Sequence, residues 1–324
     1  MAAMVQERYG EAEEVLRLAT IARPALGDGD VLVRVLAAGV DRGVWHVVAG
    51  LPYPVRLVSG LRNPKARIPG TDVAGRVEAV GKDVTTLRVG DHVFGVAGGS
   101  FAQYARAAQD KLAPKPKLLS FEQAAAVPVS ACTALQAVRD HGRVQPGQRV
   151  LIIGASGGVG TFAVQIAKAY GAHVTGICST TKLDLVRSIG ADHVIDYTRT
   201  DDITEGRQRY DVIIDIGGNR SLTTLRHALT PHGTLVITGG ETDGRWLGGT
   251  DRQLRAMILS PFTSQKLDTF IATQNTADLL TIAELIDAGT LTPIIDRTYP
   301  LSEVPKAIRH LQDGHARGKV VITV

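Results

Sequence analysis

The chain has 324 residues, of which 44% are hydrophobic, and this length favours two domains over a single core. Its 36 lysine and arginine residues against 32 acidic residues make the surface mildly basic, which suits an anionic cofactor, but no long basic run with interleaved aromatic residues favours a nucleic-acid partner. The two cysteines, Cys132 and Cys178, indicate no metal or redox pair by their spacing and are compatible with a reducing compartment.

The amino-terminal segment MAAMVQERYG has no apolar core of the kind that a secretory signal requires. The longest uncharged stretch, residues 150–167, approaches the length of a membrane span but is interrupted by four glycines. We therefore expect a cytoplasmic protein with no membrane partner.

Residues 1–123 are predicted to form a β-rich domain. Three short segments have strand patterns and are separated by glycine turns, at residues 31–35, 76–80 and 91–96. Ser120 then stands in the N-cap position before a helical run over 121–127. This run predicts the crossing into a second domain, which would begin at residue 124.

Residues 147–171, GQRVLIIGASGGVGTFAVQIAKAYG, predict a strand, a tight glycine turn and a helix that begins near Gly158. Glycine allows a positive φ and a close backbone approach, and the N–H groups at the positive end of the helix favour a pyrophosphate. The first glycine of the GxGxxG pattern is here Ala155, so a glycine turn without a ligand is the alternative. The predicted contacts are Ala155, Ser156, Gly157, Gly158, Val159 and Gly160.

Further strand patterns follow this motif and are separated by segments of helix length, at residues 173–177, 194–195, 212–214 and 234–237. Strands that alternate with helices indicate right-handed βαβ crossovers and a parallel sheet. The fold class is therefore α/β, with a Rossmann, doubly wound parallel sheet domain over residues 124–272.

The carboxy-terminal part of the chain is predicted to return to the first domain. Residues 266–271 predict a sixth strand and residues 276–288 a helix. The last strand patterns are at 294–299 and 318–324. Because an apolar terminal strand pairs most plausibly into the first sheet, residues 273–324 would make that domain discontinuous. The cleft between the two domains is the expected active site.

The order of the motifs resembles that of the medium-chain dehydrogenase/reductase superfamily over essentially the whole chain. The motifs are VLVRVLAAGVDRGVWHVVAG, PGTDVAGRVEAVGKDV, VGDHVFGV, GASGGVG, IGADHVIDY and a terminal GKVVITV. Within the superfamily the chain resembles the zinc-independent quinone oxidoreductase and alkenal/enone reductase branch. This resemblance implies a β-rich, GroES-like catalytic domain, a small electrophilic substrate, and a homodimer paired through the edge strand at 266–271.

Zinc alcohol dehydrogenases of the superfamily carry a cysteine, a Gly-His-Glu tripeptide and a further cysteine as zinc ligands. In the matching positions this chain has Asp41, Thr71, Asp72 and Pro128, and two cysteines cannot form a structural Cys₄ site. We therefore expect no zinc. Without a Lewis acid, hydride transfer to a quinone or an α,β-unsaturated carbonyl is favoured over alcohol oxidation. The alternatives are a zinc-free alcohol or aldehyde dehydrogenase and a catalytically silent NADPH-binding protein.

His46 matches, by its place in the segment WHVVAG, a histidine that relays protons in the zinc enzymes. Gly43 replaces the serine or threonine that connects that relay to the substrate, so the relay is expected to be broken. The alternatives for His46 are proton delivery and a structural histidine beside Trp45.

Two other residues complete the catalytic candidates. Tyr53 lies near where quinone reductases often carry an aromatic residue of the substrate cleft, and its alternative is a loop tyrosine. Asp41, with Asp72, is either a relic of the zinc site or, in the preferred interpretation, half of a hydrogen-bonding pair that holds the cleft loops. The loop at 51–67 is expected to shape the substrate mouth.

The cofactor is predicted to be NADPH. An NAD-preferring site places an acid at the end of the second strand, about 20 residues beyond the glycine turn. Here no acid precedes Asp184; the predicted contacts with the 2′-phosphate are Ser179, Thr180, Lys182 and, by resemblance, Tyr197. The alternative for Lys182 is a solvated lysine at a helix start. Three further residues complete the predicted cofactor-binding set: Thr133, Gly217 and Gly239.

Overall fold

The computed structural model of the chain describes residues 1–204, 208–239, 244–246, 248–314 and 316–324. The chain divides into two compact units. The first unit contains residues 1–132 and 273–324, and the second contains residues 133–272.

The strands and helices of the described residues are numbered in chain order. The strands are β1 (Ala2–Val5), β2 (Arg17–Thr20), β3 (Asp30–Val40), β4 (Asp72–Val80), β5 (His92–Val96), β6 (Tyr104–Ala108), β7 (Leu112–Pro114), β8 (Arg149–Ile153), β9 (His173–Cys178), β10 (His193–Asp196), β11 (Tyr210–Asp215), β12 (Leu229–Ile237), β13 (Lys266–Thr269), β14 (Ile295–Pro300) and β15 (Lys319–Thr323). The helices are α1 (Ala12–Val15), α2 (Arg42–Ala49), α3 (Arg56–Ser59), α4 (Phe121–Ala125), α5 (Pro128–Gln136), α6 (Gly158–Ala169), α7 (Leu183–Ser188), α8 (Leu222–Ala228), α9 (Thr250–Leu259), α10 (Thr276–Asp287) and α11 (Val304–Gln312).

The first unit is built on a seven-stranded sheet in the order β14-β15-β3-β4-β5-β7, with β6 also paired to β3. Val31, Val33 and Val35 of β3 are buried in its core, which the period-two pattern of the strand predicts. The terminal strand β15 pairs antiparallel with β3 and parallel with β14. The chain therefore returns to its first sheet at the carboxyl terminus.

The second unit is built on a six-stranded sheet in the order β10-β9-β8-β11-β12-β13. All of its strand pairs are parallel. This is the strand order of the doubly wound dinucleotide-binding fold, with β8 as the first strand. The predicted fold class, a Rossmann domain joined to a β-rich domain, is confirmed.

The helix predicted after Ser120 forms, but it belongs to the first unit. Ser120 Oγ accepts from the N–H of Gln123 (3.2 Å), and Gln123 Oε1 accepts from the N–H of Ser120 (3.0 Å), which is a capping box. α4 packs against β3, β4 and β15. The first unit therefore extends beyond the predicted boundary at residue 123 and ends after Cys132.

Thr133, a predicted cofactor contact, lies in the middle of α5, which begins at Pro128, a residue favoured in a first helical turn. The segment 51–67 contains a 3₁₀ turn, Tyr53–Val55, that leads into α3.

Candidate cofactor and active site

The glycine loop between β8 and α6 forms the predicted turn and helix start. Gly154 has a φ of +82°, in the left-handed region that favours glycine. The N–H of Ala155 donates to the carbonyl oxygen of Ile177 (3.0 Å), and the N–H of Gly157 donates to that of Gly154 (3.1 Å). Gly157 is the N-cap of α6, and no side chain in the described part of the chain caps this helix. Its first N–H groups can therefore bind a phosphate group.

Close backbone packing explains why residue 160 is a glycine, but it does not explain the glycine at 157. A Cβ at Gly160 would lie 2.0 Å from the carbonyl oxygen of Gly154, so α6 can pack on the loop only without a side chain there. A Cβ at Gly157 would lie 3.5 Å from the same oxygen, which is ordinary contact. The fold requires Gly160 but does not itself require a glycine at 157. The other predicted contacts lie in the loop and the first turn of α6: Ser156, Gly158 and Val159.

The end of β9 differs in one respect from the expectation. Ser179 is the N-cap of a 3₁₀ turn that begins at Thr180. The hydroxyl of Thr180 donates to Oδ2 of Asp196 at 2.5 Å and is therefore not a donor for a phosphate. Asp196 is the last residue of β10 and pairs in register with Cys178 of β9. Sequence reasoning missed Asp196, although its place beside Tyr197 in the segment HVIDY was a usable signal.

Lys182 and Tyr197 lie on the segments that follow the carboxyl ends of β9 and β10. The N–H of Tyr197 donates to the carbonyl oxygen of Cys178 (3.2 Å), and the Tyr197 side chain is 52% exposed. Burial raises the pKa of the Cys178 thiol to about 11, and the nearby ammonium group of Lys182 opposes this shift. The structure thus brings both residues to the strand end at which we predict recognition of the 2′-phosphate.

Gly217 and Gly239 follow the carboxyl ends of β11 and β12, at the same edge of the parallel sheet as the glycine loop. Asp215, the last residue of β11, is buried and accepts from the N–H of Gly218 (2.9 Å). Its carboxylate lies 2.8 Å from the guanidinium group of Arg252. Burial raises the pKa of Asp215 to about 6 against the effect of Arg252. This ion pair fixes the sheet edge on which Gly217 and Gly239 lie.

In the first unit, Asp41 and Asp72 do not form the expected pair with each other. Asp41 is the N-cap of α2 and accepts from the N–H of Val44 (3.2 Å). Asp72 is fully buried, lies 3.0 Å from Nζ of Lys319, and accepts from the N–H of Val129 (2.9 Å). Burial raises the pKa of Asp72 to about 6, and Lys319 opposes this shift. Asp72 therefore joins β4 to β15 and to the start of α5, and Asp41 caps α2 and accepts from the hydroxyl of Thr71 (3.5 Å).

His46 holds the end of α2 in place. Its Nδ1 lies 2.7 Å from the carbonyl oxygen of Leu51, and since a carbonyl can only accept, Nδ1 carries the proton. Its ring centroid is 4.6 Å from that of Trp45. Burial lowers the pKa of His46, so the imidazole is neutral near pH 7. These contacts favour the structural alternative for His46 over proton delivery.

Tyr53 lies beside a cation that the sequence did not single out. The guanidinium carbon of Arg56 is 5.0 Å from the centre of the Tyr53 ring and 4.7 Å from that of Tyr9. Nε of Arg56 donates to the carbonyl oxygen of Gly50 (2.9 Å). Arg56 therefore orders the turn that carries Tyr53, whose side chain is half-buried.

The residues that match the zinc ligands of the alcohol dehydrogenases do not fit a zinc site. The Asp72 carboxylate is already compensated by the buried ammonium group of Lys319, and Asp41 is committed to a helix cap. Within the described ranges, no three His, Cys, Asp or Glu side chains are grouped so that they could hold a metal ion.

The described residues also contain no helix that is long and apolar enough to cross a membrane.

Comparison with known proteins agrees with this architecture. A family model described as "Alcohol dehydrogenase GroES-like domain" matches residues 27–117, and one described as "Zinc-binding dehydrogenase" matches residues 189–322. The mouse protein "NAD(P)H oxidoreductase RTN4IP1, mitochondrial" is 33% identical, over 100% of this chain and 89% of its own length. The "Quinone-oxidoreductase QR1, chloroplastic" of Triphysaria versicolor is 30% identical, over 99% of this chain and 98% of its own.

Among solved structures, the quinone oxidoreductase from Coxiella burnetii superposes with a TM-score of 0.88 at 28% identity, covering 100% of this chain and 99% of that one. Fold, motif order and relatives define an oxidoreductase with a nucleotide-binding domain. The chain belongs to the medium-chain dehydrogenase/reductase superfamily and to its quinone oxidoreductase-like branch.

Proposed function

We propose that this NAD(P)H-dependent oxidoreductase transfers a hydride from NADPH to a quinone or an α,β-unsaturated carbonyl without a metal ion. The observation that carries the proposal is the ion pair between Asp72 and Lys319. Asp72 stands where the zinc alcohol dehydrogenases carry a zinc ligand, and the ammonium group of Lys319 neutralises its carboxylate. The uncapped start of α6 supports nucleotide binding, and the names of the relatives support the class of acceptor.

NADPH supplies the hydride from C4 of its nicotinamide ring. The residues of the second unit bind and orient it: the first N–H groups of α6 hold the pyrophosphate, and Lys182 and Tyr197 recognise the 2′-phosphate. The acceptor takes the hydride and one proton. His46 is neutral and its Nδ1 proton is donated to the carbonyl oxygen of Leu51, so it does not deliver the proton. Solvent supplies the proton that the acceptor takes up.

The experiment that tests this function is NADPH oxidation with a panel of quinones, enones, aldehydes and ketones, together with the reverse reaction on alcohols. We expect turnover with quinones or enones and none with simple alcohols. Tight NADPH binding without turnover on any acceptor would instead indicate a silent binding protein. Oxidation of alcohols alone would favour the dehydrogenase.

Replacing Lys182 by alanine is expected to raise the KM for NADPH at least several-fold and to change the KM for NADH very little. A charge-assisted contact with the 2′-phosphate contributes about 1.5–3 kcal/mol, which is about one to two powers of ten in affinity. Lys306→Ala is the matched control, since Lys306 is an exposed lysine of the first unit that is paired with Glu303 (2.6 Å). Equal effects of Lys182→Ala on both nucleotides would show that Lys182 does not recognise the phosphate.

We also propose a homodimer. β13 is the last strand of its sheet in the described part of the chain, and Phe262 and Ile271 near it are 82% and 93% exposed. An uncovered strand edge with apolar neighbours tends to pair. Light scattering at micromolar concentration should therefore give the mass of a dimer, and Ile271→Lys should weaken it; a monomeric wild type would refute the assembly.

A cytoplasmic location stays a prediction. The names of the mouse and plant relatives place those proteins in mitochondria and chloroplasts.

A further inference from the structure

The ends of β9 and β10 form a compact polar cluster, which we call the strand-end cluster and define as residues 178–182 and 196–198. Asp196 is paired in parallel register with Cys178, so the carboxyl ends of the two strands lie side by side. The hydrogen bond from Tyr197 N–H to the carbonyl oxygen of Cys178 continues this pairing beyond the strands. The cluster includes the residues proposed to recognise the 2′-phosphate.

The carboxylate of Asp196 is the acceptor at the centre of this cluster. Its Oδ2 accepts from the Thr180 hydroxyl (2.5 Å), and its Oδ1 accepts from the N–H (3.0 Å) and the hydroxyl (2.7 Å) of Thr198. The two hydroxyl oxygens are 2.8 Å apart. The bond from Thr180 is the largest of the effects that lower the pKa of Asp196, so the carboxylate is ionised at neutral pH. A fixed negative charge therefore lies within the cluster.

The turn that carries Lys182 is bonded directly to Asp196: Thr180, whose hydroxyl donates to Asp196, is the first residue of the 3₁₀ turn Thr180–Lys182. The carboxylate of Asp196 raises the pKa of the Cys178 thiol, and the cations of Lys182 and Arg187 lower it. A phosphate that Lys182 attracts would consequently be repelled by Asp196. Three hydrogen-bond donors reduce the repulsion without removing it.

We propose that Asp196 is a specificity-determining residue for the cofactor, because its carboxylate fixes Thr180 and Thr198 and opposes the attraction of Lys182 for a 2′-phosphate. The protein then binds both NADPH and NADH, with a modest preference for NADPH. This inference rests on the proposed function, since it concerns the nucleotide site of that reaction. The negative charge at this site therefore comes from Asp196 at the end of β10, and not from an acid at the end of β9.

The test is the variant Asp196→Asn, which removes the charge and nearly preserves the shape. The amide oxygen can still accept from Thr198, and the amide N–H₂ can donate to the Thr180 hydroxyl oxygen. We expect the dissociation constant of NADPH, measured by fluorescence titration, to fall about three- to tenfold at low salt, with less effect at high salt. The dissociation constant of NADH should stay unchanged.

Asp192→Asn is the matched control, because it removes one negative charge from the same domain at the other end of the strands. Asp192 lies 2.8 Å from Nζ of Lys168 and accepts from the N–H of Val174, at the start of β9. This variant should leave the ratio of the two dissociation constants at its wild-type value. An equal change of that ratio in both variants would overturn the assignment.

The outcomes separate this inference from the function on which it rests. A wild type that binds neither nucleotide contradicts both. A wild type that binds NADPH, with a folded Asp196→Asn variant that changes both dissociation constants equally or weakens NADPH alone, overturns only the role of Asp196. The wild type provides a second measurement that needs no variant: a preference for NADPH over NADH greater than about a hundredfold would contradict a moderating charge at this site.

Discussion

Replacing Lys319 by methionine is expected to lower the free energy of unfolding by about 3–5 kcal/mol, because it leaves a buried carboxylate without its partner. The side chains of Lys319 and Asp72 are 2% and 0% exposed and their charged atoms are 3.0 Å apart. Methionine is nearly as long as lysine and lacks the ammonium group, so the substitution removes the charge and its hydrogen bond to Asp72 with little loss of volume. The measurement is urea or thermal unfolding at pH 8.

The pH dependence of this loss shows whether charge causes it. Without Lys319, the pKa of Asp72 rises further above its value in the unfolded chain, because the opposing positive charge is gone. A carboxyl group whose pKa is raised by folding stabilises the native state most at acidic pH, and this contribution is lost as the pH rises through the native pKa. The loss should therefore be smaller near pH 5 than at pH 8.

Two variants complete this experiment. The double variant Lys319→Met with Asp72→Asn should recover much of the lost stability, since no charge stays buried without a partner. Lys306→Met removes an exposed lysine that is paired with Glu303 and should leave the melting temperature unchanged. A Lys319→Met variant as stable as the wild type at pH 8 would contradict the importance of the pair.

Substitutions of Gly160 and Gly157 should separate folding from cofactor binding. A Cβ at Gly160 would lie 2.0 Å from a backbone oxygen, so Gly160→Ala should lower the free energy of unfolding by about 1–3 kcal/mol. Gly157→Val should fold, since its Cβ has ordinary space, but its side chain would occupy the region in which N–H groups meet phosphate. We expect the affinity of Gly157→Val for NADPH to fall at least about tenfold.

Calorimetry or fluorescence titration of the folded variants measures both effects. An unchanged affinity for NADPH in a folded Gly157→Val protein would falsify the placement of the pyrophosphate at this loop. A Gly160→Ala protein with normal stability would show that the loop can relax where the structure predicts a backbone clash.

The elements of the fold that depend on local pattern could be predicted from the sequence. The glycine turn and α6 follow from a local glycine spacing, and α4 follows from Ser120 and Gln123, which cap it from three residues apart. The alternation of strands and helices in the second unit predicts its parallel sheet because βαβ crossovers have one hand.

The contacts that join distant parts of the chain could not be predicted. Asp72 and Lys319 are separated by 247 residues, and no periodicity in either segment indicates that β4 and β15 bring them together. The partner of Thr180 lies on the neighbouring strand, so a search for an acid at the end of β9 alone missed Asp196. The sequence pattern does not locate the end of the first unit, which lies after Cys132, because a helix after a domain crossing has the same pattern as a helix before it.

The most direct test of metal-free hydride transfer uses NADPH labelled with deuterium at the transferred C4 position and an α,β-unsaturated ketone, with protein dialysed against a chelator. We predict substoichiometric zinc by metal analysis, deuterium on the β-carbon of the reduced ketone by mass spectrometry, and a rate that dialysis does not change. Loss of turnover on dialysis with recovery on adding zinc, or reduction without deuterium at the β-carbon, would contradict it.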